Sequence, residues 1–200
     1  IAELAVEHDL LVISDDIYDK IIFDGGEHYS LATFDGMYER TVTINGFSKA
    51  YAMTGWRVGY LAAPEWFMEP AIEIKHSISI CTSPAMQAGA LEALRHGEKD
   101  LKEMVRRYQQ RRDLIMEGLD RLGMTYARSE KFEDALLAFQ KCLKYDRSCA
   151  KAYSEMALIY EKKGKKDLAA SELSPALERH ASNPQCHGNV GATYAAQLLF

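Results

Sequence analysis

The chain has 200 residues, 48% hydrophobic and 26% charged, which leaves room for one or two globular domains. Its 29 acidic residues outnumber 24 basic ones for a formal charge of −5, the opposite of the concentrated positive charge that a nucleic-acid binder carries. No apolar run approaches the roughly 18 residues of a membrane-spanning helix, so the expectation is a soluble chain with neither nucleic acid nor membrane as partner. Cys81, Cys142, Cys149 and Cys186 form no Cys-x-x-Cys pair, which predicts reduced thiols and a cytoplasmic location. The start at Ile1, with no signal peptide, and the apolar end at Ala195–Phe200 predict a piece of a longer protein.

Before about residue 120, short β-rich runs alternate with helical stretches. A helix is predicted from Ile1 to about His8. The continuous apolar run Leu10–Ser14 reads as a strand buried on both faces. Thr41–Ile44 and Arg57–Ala62 are further strand candidates, with a turn at Asp24-Gly25-Gly26 between them and the first strand and a breaker at Pro64. From Ser83-Pro84 a helix runs to about His96 and stops at Gly97, with proline just inside the start and glycine just past the end. A charged amphipathic helix follows from about Lys99 to Leu122. This alternation predicts an α/β domain with a largely parallel sheet.

After residue 120 every signal is helical and the sequence repeats. Tyr126, Tyr160 and Tyr194 are 34 residues apart, and the same offset links Leu122, Met156 and Val190, then Gly123, Ala157 and Gly191. Ala135 pairs with Ala169, Phe139 with Leu173 and Cys142 with Ala176 at that spacing. A 34-residue period with small residues at the helix crossings resembles tetratricopeptide repeats, in which each helix pair buries only one face alone and needs a neighbour. Ser129-Glu130-Lys131 and Lys163-Gly164-Lys165 mark the turns, and Asn183-Pro184 opens a third unit, giving about two and a half repeats. Arg147 and Ala181 stand where a proline is common in such repeats. The stretch Phe139–Tyr153 also resembles the C-terminal repeats of a large intraflagellar-transport scaffold subunit.

The most specific local motif is Gly46-Phe47-Ser48-Lys49-Ala50-Tyr51-Ala52-Met53-Thr54-Gly55-Trp56-Arg57-Val58-Gly59. With Ser14-Asp15-Asp16-Ile17-Tyr18 upstream, it resembles the lysine signature of class I and II aminotransferases, pyridoxal-phosphate enzymes of fold type I, over residues 1 to about 124. The resemblance implies a partial fold type I large domain over 1–115, and the 34-residue period implies an all-α tetratricopeptide solenoid following it over 116–200. It implies transamination between amino acids and 2-oxo acids, pyridoxal 5'-phosphate as cofactor, and a homodimer. Lys49 is then the catalytic lysine that forms the Schiff base and moves the proton. Asp15 matches the carboxylate beside the pyridine nitrogen, Tyr18 the phenol on the cofactor's O3′, and Arg57 the guanidinium on its phosphate. Ser48 offers a hydroxyl to that phosphate, while Gly46 occupies the position where relatives carry a phosphate-binding serine.

Members of that family also use upstream segments for a phosphate loop, a stacked aromatic and an asparagine, and a downstream arginine for the substrate carboxylate. None is identified in this sequence, so low turnover is expected of the chain alone. The alternatives are a tetratricopeptide scaffold offering a groove to a protein or peptide partner, or two halves joined artificially or by a gene-model error, without activity. Leu122-Gly123-Met124-Thr125-Tyr126 fits both patterns and would tolerate such a junction. No histidine pair has metal-ligand spacing, so no metal is expected. Trp56 and Trp66 read as packing residues, and the lysines at 162–166 as a solvated turn.

Overall fold

The computed structural model describes residues 1–147 and 149–171. It divides into two compact units, Ile1–Gln109 and a second from Gln110 onward. The first contains α1 (Ala2–Glu7), β1 (Val12–Asp15), β2 (Thr41–Gly46), β3 (Gly59–Ala62), α2 (Glu65–Ile78) and α3 (Pro84–His96). The helix α4 (Glu98–Arg128) contributes residues to both units, and α5 (Phe132–Tyr145) and α6 (Ala150–Lys162) belong to the second.

In the first unit β2 is the middle strand of a three-stranded sheet. It pairs parallel with β1, Asp15 opposite Ile44, and antiparallel with β3, Gly46 opposite Gly59. One of the two pairings is therefore antiparallel, which corrects the expectation of a largely parallel sheet. The expected burial of the first strand on both faces is also overturned, since Ile13 is 69% exposed and Leu11 68%. An apolar run marks strand propensity, but burial depends on neighbours, and β1 and β3 are both edges here. The middle strand is the buried one, with Thr41, Val42, Asn45 and Gly46 enclosed.

Arg40 fastens the start of β2 to the segment between α1 and β1. Its guanidinium donates to Asp9 Oδ1 at 2.8 Å and to the Gly36 carbonyl at 2.8 Å. Helix α2 was not anticipated from the sequence, where Pro64 reads as a breaker. Pro64 is its N-cap, where the missing N–H costs nothing, and Pro70 sits inside it. In its first turn, Trp66 Nε1 donates to the Glu39 carbonyl at 3.1 Å. Helix α3 starts and stops as expected, with Ser83 as N-cap, Pro84 in the first turn and Gly97 as C-cap. Gly89 lets the Trp56 ring lie directly on that helix, since a β-carbon there would overlap the indole. Helix α4 continues past the expected end at Leu122 to Arg128.

The second unit is helical throughout its described part. Ala135, Leu136, Phe139, Cys142, Ala152, Met156 and Ile159 form its core, with Met116, Leu119 and Tyr126 packed against them. Full burial of a side chain such as Phe139 contributes about 1.5–3 kcal/mol. The two interhelical turns repeat each other 34 residues apart. Lys131 N donates to the Tyr126 carbonyl at 2.9 Å, and Lys165 N to the Tyr160 carbonyl at 2.9 Å. Glu130 and Gly164 both take positive φ, +58° and +72°, and Ala135 and Ala169 are both fully buried. The positions expected to repeat at Leu173, Ala176, Val190, Gly191 and Tyr194, the unit opening at Asn183-Pro184, and Ala181 and Cys186 lie outside the described residues.

Candidate functional site

The residues singled out by motif converge on one end of the sheet because of strand direction. Asp15 ends β1, and the parallel register sets it level with Ile44, two residues before the end of β2. Ser48 and Lys49 follow β2 directly. Arg57 precedes β3, whose antiparallel register returns Gly59 to Gly46. The carboxyl ends of β1 and β2 thus meet the start of β3, the place where open α/β sheets bind ligands.

Lys49 is presented by a loop that closes on itself. Phe47 N donates to the Val58 carbonyl at 3.3 Å, and Tyr51 N and Met53 N donate to the Phe47 carbonyl at 3.3 and 3.2 Å. Phe47, Met53 and Ala90 form a buried cluster beneath it, with Tyr51, Val58 and Ala93 against them. Gly46 is required by the close approach of the strands: a β-carbon there would lie 3.0 Å from the Val58 carbonyl oxygen, 3.1 Å from Gly59 Cα and 3.3 Å from Ile17 Cδ1.

Lys49 is half-buried, and its Nζ stands 5.8 Å from the centroid of the Tyr18 ring, a cation–π distance. Tyr18 is otherwise open to solvent at 57% exposure. Asp15 is exposed and accepts a 3.4 Å hydrogen bond from Ile17 N. Ser48 is half-buried beside Lys49. Arg57 is exposed, takes a left-handed φ of +52°, and donates from Nη1 to the Thr54 carbonyl at 3.2 Å. It lines a cleft of about 430 Å³ with Lys75, Ser79, Thr82 and Ser83, whose wall does not include Asp15, Tyr18 or Lys49. The structure therefore joins Tyr18 to Lys49 and gathers Asp15 and Arg57 to the same sheet end, but does not enclose the four in one described cavity.

Sequence reasoning passed over Asp16, read only as half of an acidic pair. It is 9% exposed and accepts from Ser14 Oγ at 2.6 Å, while His28 Nε2 lies 3.2 Å from its Oδ2. Burial first, and then the charges of Asp19, Tyr51 and Asp16, push the Tyr60 phenol above its usual value. No group of three or more histidine, cysteine or acidic residues is placed to hold a metal ion among the described residues, and no described helix is long and apolar enough to cross a membrane.

Residues 1–162 match the family model for aminotransferase class I and II. The match runs beyond Met124, where the sequence resemblance was expected to end. The aspartate aminotransferase of Pyrococcus abyssi is 41% identical over 164 residues, covering 81% of this chain and 41% of that protein. Aromatic-amino-acid aminotransferase 2 of Thermococcus litoralis is 45% identical over 126 residues, covering 62% and 32%. Among solved structures, the aromatic aminotransferase from Pyrococcus horikoshii superposes with a TM-score of 0.58 at 44% identity, over 61% of this chain and 33% of that one. The chain spans less than half the length of the relatives it matches. The donor set at the sheet end suits the pyridoxal phosphate on which the family depends: one amine, one carboxylate, one phenol and one guanidinium. By the span of the family match, this chain belongs to the class I and II aminotransferases.

Proposed function

We propose that the chain carries the cofactor-holding part of an aminotransferase that interconverts amino acids and 2-oxo acids as a homodimer. The observation that carries this reading is the stacking of the Lys49 ammonium on Tyr18 at the shared end of β1 and β2. When bound, pyridoxal phosphate supplies the electron sink for charge at the substrate α-carbon. Lys49 would hold the cofactor through its aldehyde carbon, with loss of one water, and its amine would carry the proton between the substrate α-carbon and that position. Asp15 holds the pyridine nitrogen protonated through an ion pair. The Tyr18 hydroxyl donates to the ring oxygen, and the ring limits where the Lys49 amine can go. Arg57 binds the phosphate with its planar fork, and Ser48 adds a hydroxyl. The free thiols of Cys81, Cys142 and Cys149 suit a reducing cytoplasm.

Incubation with pyridoxal phosphate, borohydride reduction and peptide mapping tests this. Label concentrated on Lys49 supports the reading, and indiscriminate labelling of surface lysines ends it.

A second reading is favoured by the repeated turns at 126–131 and 160–165. We propose that residues 116–200 form tetratricopeptide repeats and that 1–115 is the aminotransferase portion, with the boundary inside α4. Supporting it are the matched hydrogen bonds of Lys131 and Lys165 and the buried small residues at Gly123, Ala135, Ala157 and Ala169. Such repeats offer a groove to a protein or peptide. Cooperative thermal unfolding of residues 116–200 alone is expected, and a featureless melt would refute an autonomous repeat unit.

A further inference from the structure

The turn that carries Tyr18 hangs from one side chain. Asp16 N donates to the Ile44 carbonyl at 2.9 Å, extending the β1–β2 ladder one residue past Asp15. The Asp16 carbonyl then accepts from Asp19 N at 2.9 Å, and the Tyr18 carbonyl accepts from Ile21 N at 2.9 Å, so the chain reverses around Tyr18. A four-residue turn would ordinarily sample several conformations, because two or three turn hydrogen bonds barely offset backbone entropy. Here the carboxylate of Asp16 is turned inward and bound on both oxygens. Ser14 Oγ donates to Oδ1 at 2.6 Å from within β1, and His28 Nε2 donates to Oδ2 at 3.2 Å from twelve residues downstream. The 9% exposure of Asp16 makes these bonds necessary, since a buried carboxylate left without partners is costly.

We propose that Asp16, clamped by Ser14 and His28, is a positioning residue that fixes the Asp16–Asp19 turn and so keeps the Tyr18 ring in place against Lys49. The proposal deepens the cofactor reading and rests on it for its link to Lys49, while the clamp itself stands on the contacts above. His28 acts through Asp16 and touches neither Tyr18 nor Lys49 in the observed set of bonds. Its effect is to tie the segment after the turn back to the end of β1, closing a loop whose two ends are then held at one carboxylate.

Two measurements decide it. The first is amide hydrogen exchange at Asp19 and Ile21 in the cofactor-free protein, with the Phe47 amide as reference. Asp16→Ala and His28→Ala are each expected to speed exchange at the two turn amides about tenfold, the effect of losing one charge-assisted hydrogen bond. The double variant is expected to add little beyond either single, because both remove the same clamp. Unchanged turn exchange in His28→Ala, a substitution at a partly exposed residue that leaves the sheet intact, overturns the proposal even where Asp16→Ala does not fold. Additive effects overturn it too.

The second measurement is the selectivity of borohydride-fixed pyridoxal phosphate for Lys49. It is expected to fall in Asp16→Ala and recover in Asp16→Glu, which restores a carboxylate. Faster turn exchange with Lys49 selectivity intact in Asp16→Ala overturns the link to Lys49. Loss of selectivity in the unsubstituted protein defeats the cofactor reading instead, and the exchange measurement still decides the clamp.

Discussion

The far end of the Phe139 ring packs against Gly123. A β-carbon at 123 would sit 2.7 Å from both Cε1 and Cζ of that ring and 3.0 Å from Cε2, and Phe139 is fully buried with no room to retreat. Gly123→Ala therefore trades a helix-propensity gain of about 1 kcal/mol against overpacking of about 1–3 kcal/mol. At 2.7 Å on two atoms the clash wins, and a lowered denaturation midpoint is expected for the second unit. Gly118→Ala on the same helix meets nothing within 4 Å and should raise stability by up to about 1 kcal/mol. Urea titrations of the two variants check both signs, and equal responses would show that Gly123 is not a helix-crossing position.

Gly46 poses the same question at the sheet end. Relatives of the lysine motif carry a serine there, and Gly46→Ser would seem to add a phosphate contact. The neighbours of the added β-carbon are the Val58 carbonyl and Gly59 Cα, backbone atoms that cannot swing aside as a side chain can. The substitution is expected to destabilise the β2–β3 pairing by about 1–3 kcal/mol and to weaken, not strengthen, cofactor retention. Thermal unfolding alongside equilibrium dialysis of pyridoxal phosphate measures both, and tighter retention at unchanged stability would contradict the account.

These two glycines also show what the sequence could convey. Strands at 41 and 59 and the helix from Pro84 to His96 were legible because alternation, proline and glycine are local signals acting on the backbone itself. The joining of Lys49 to Tyr18 followed from a motif whose two pieces lie at the ends of adjacent strands. The exposure of Ile13 was not legible, because an apolar run does not say how many neighbours its strand will have. Helix α2 was hidden by Pro64, a residue that breaks helices in most positions but here serves as the N-cap. Asp16 and His28 were hidden for a different reason: their pairing spans an irregular loop, and no periodicity relates the two.

Tyr18 offers two separable contributions to Lys49. Tyr18→Phe keeps the ring face toward the ammonium and removes only the hydroxyl, so labelling of Lys49 by pyridoxal phosphate should stay selective while retention weakens about tenfold. Tyr18→Ala removes both, and selectivity for Lys49 should fall as well. Peptide mapping after borohydride reduction, run across a cofactor titration, distinguishes the two. Equal behaviour of the variants would mean that the ring contact does not orient the amine.

Charge in the exposed part of α4 should be felt at low pH. Arg106 and Arg107 donate to both oxygens of Glu103 and hold its carboxyl at about 2, below the ordinary 4.5. A depressed carboxylate supports the folded helix above its unfolded value, so this support is present above pH 4.5 and lost as pH falls toward 2. The pair is fully exposed and therefore screened. Helicity measured by circular dichroism should decline over that window more steeply than in Glu103→Gln, and added salt should shrink the difference. Coincident acid profiles would remove the pair from the account.

Cys142 sets the alkaline limit of the second unit. Burial, followed by the charge and hydrogen bond of Cys149 and the charges of Asp120 and Asp146, pushes its thiol up to about 12 from the ordinary 9.0. A raised folded value means that the native state keeps its proton longer than the unfolded chain does. The stabilisation is then complete below pH 9 and is lost progressively as pH climbs toward 12. At pH 8 the buried Cys142 keeps its proton, so iodoacetamide should modify exposed Cys81 long before Cys142. Replacing Cys142 with alanine should flatten the alkaline fall in stability, at a cost of about 1 kcal/mol at neutral pH for the cavity left in the core. Peptide mapping of alkylated protein over a pH series follows both thiols at once. Modification of Cys142 as fast as Cys81 at pH 8, in protein that remains folded by circular dichroism, would show that its sulfur is not enclosed between α5 and the core.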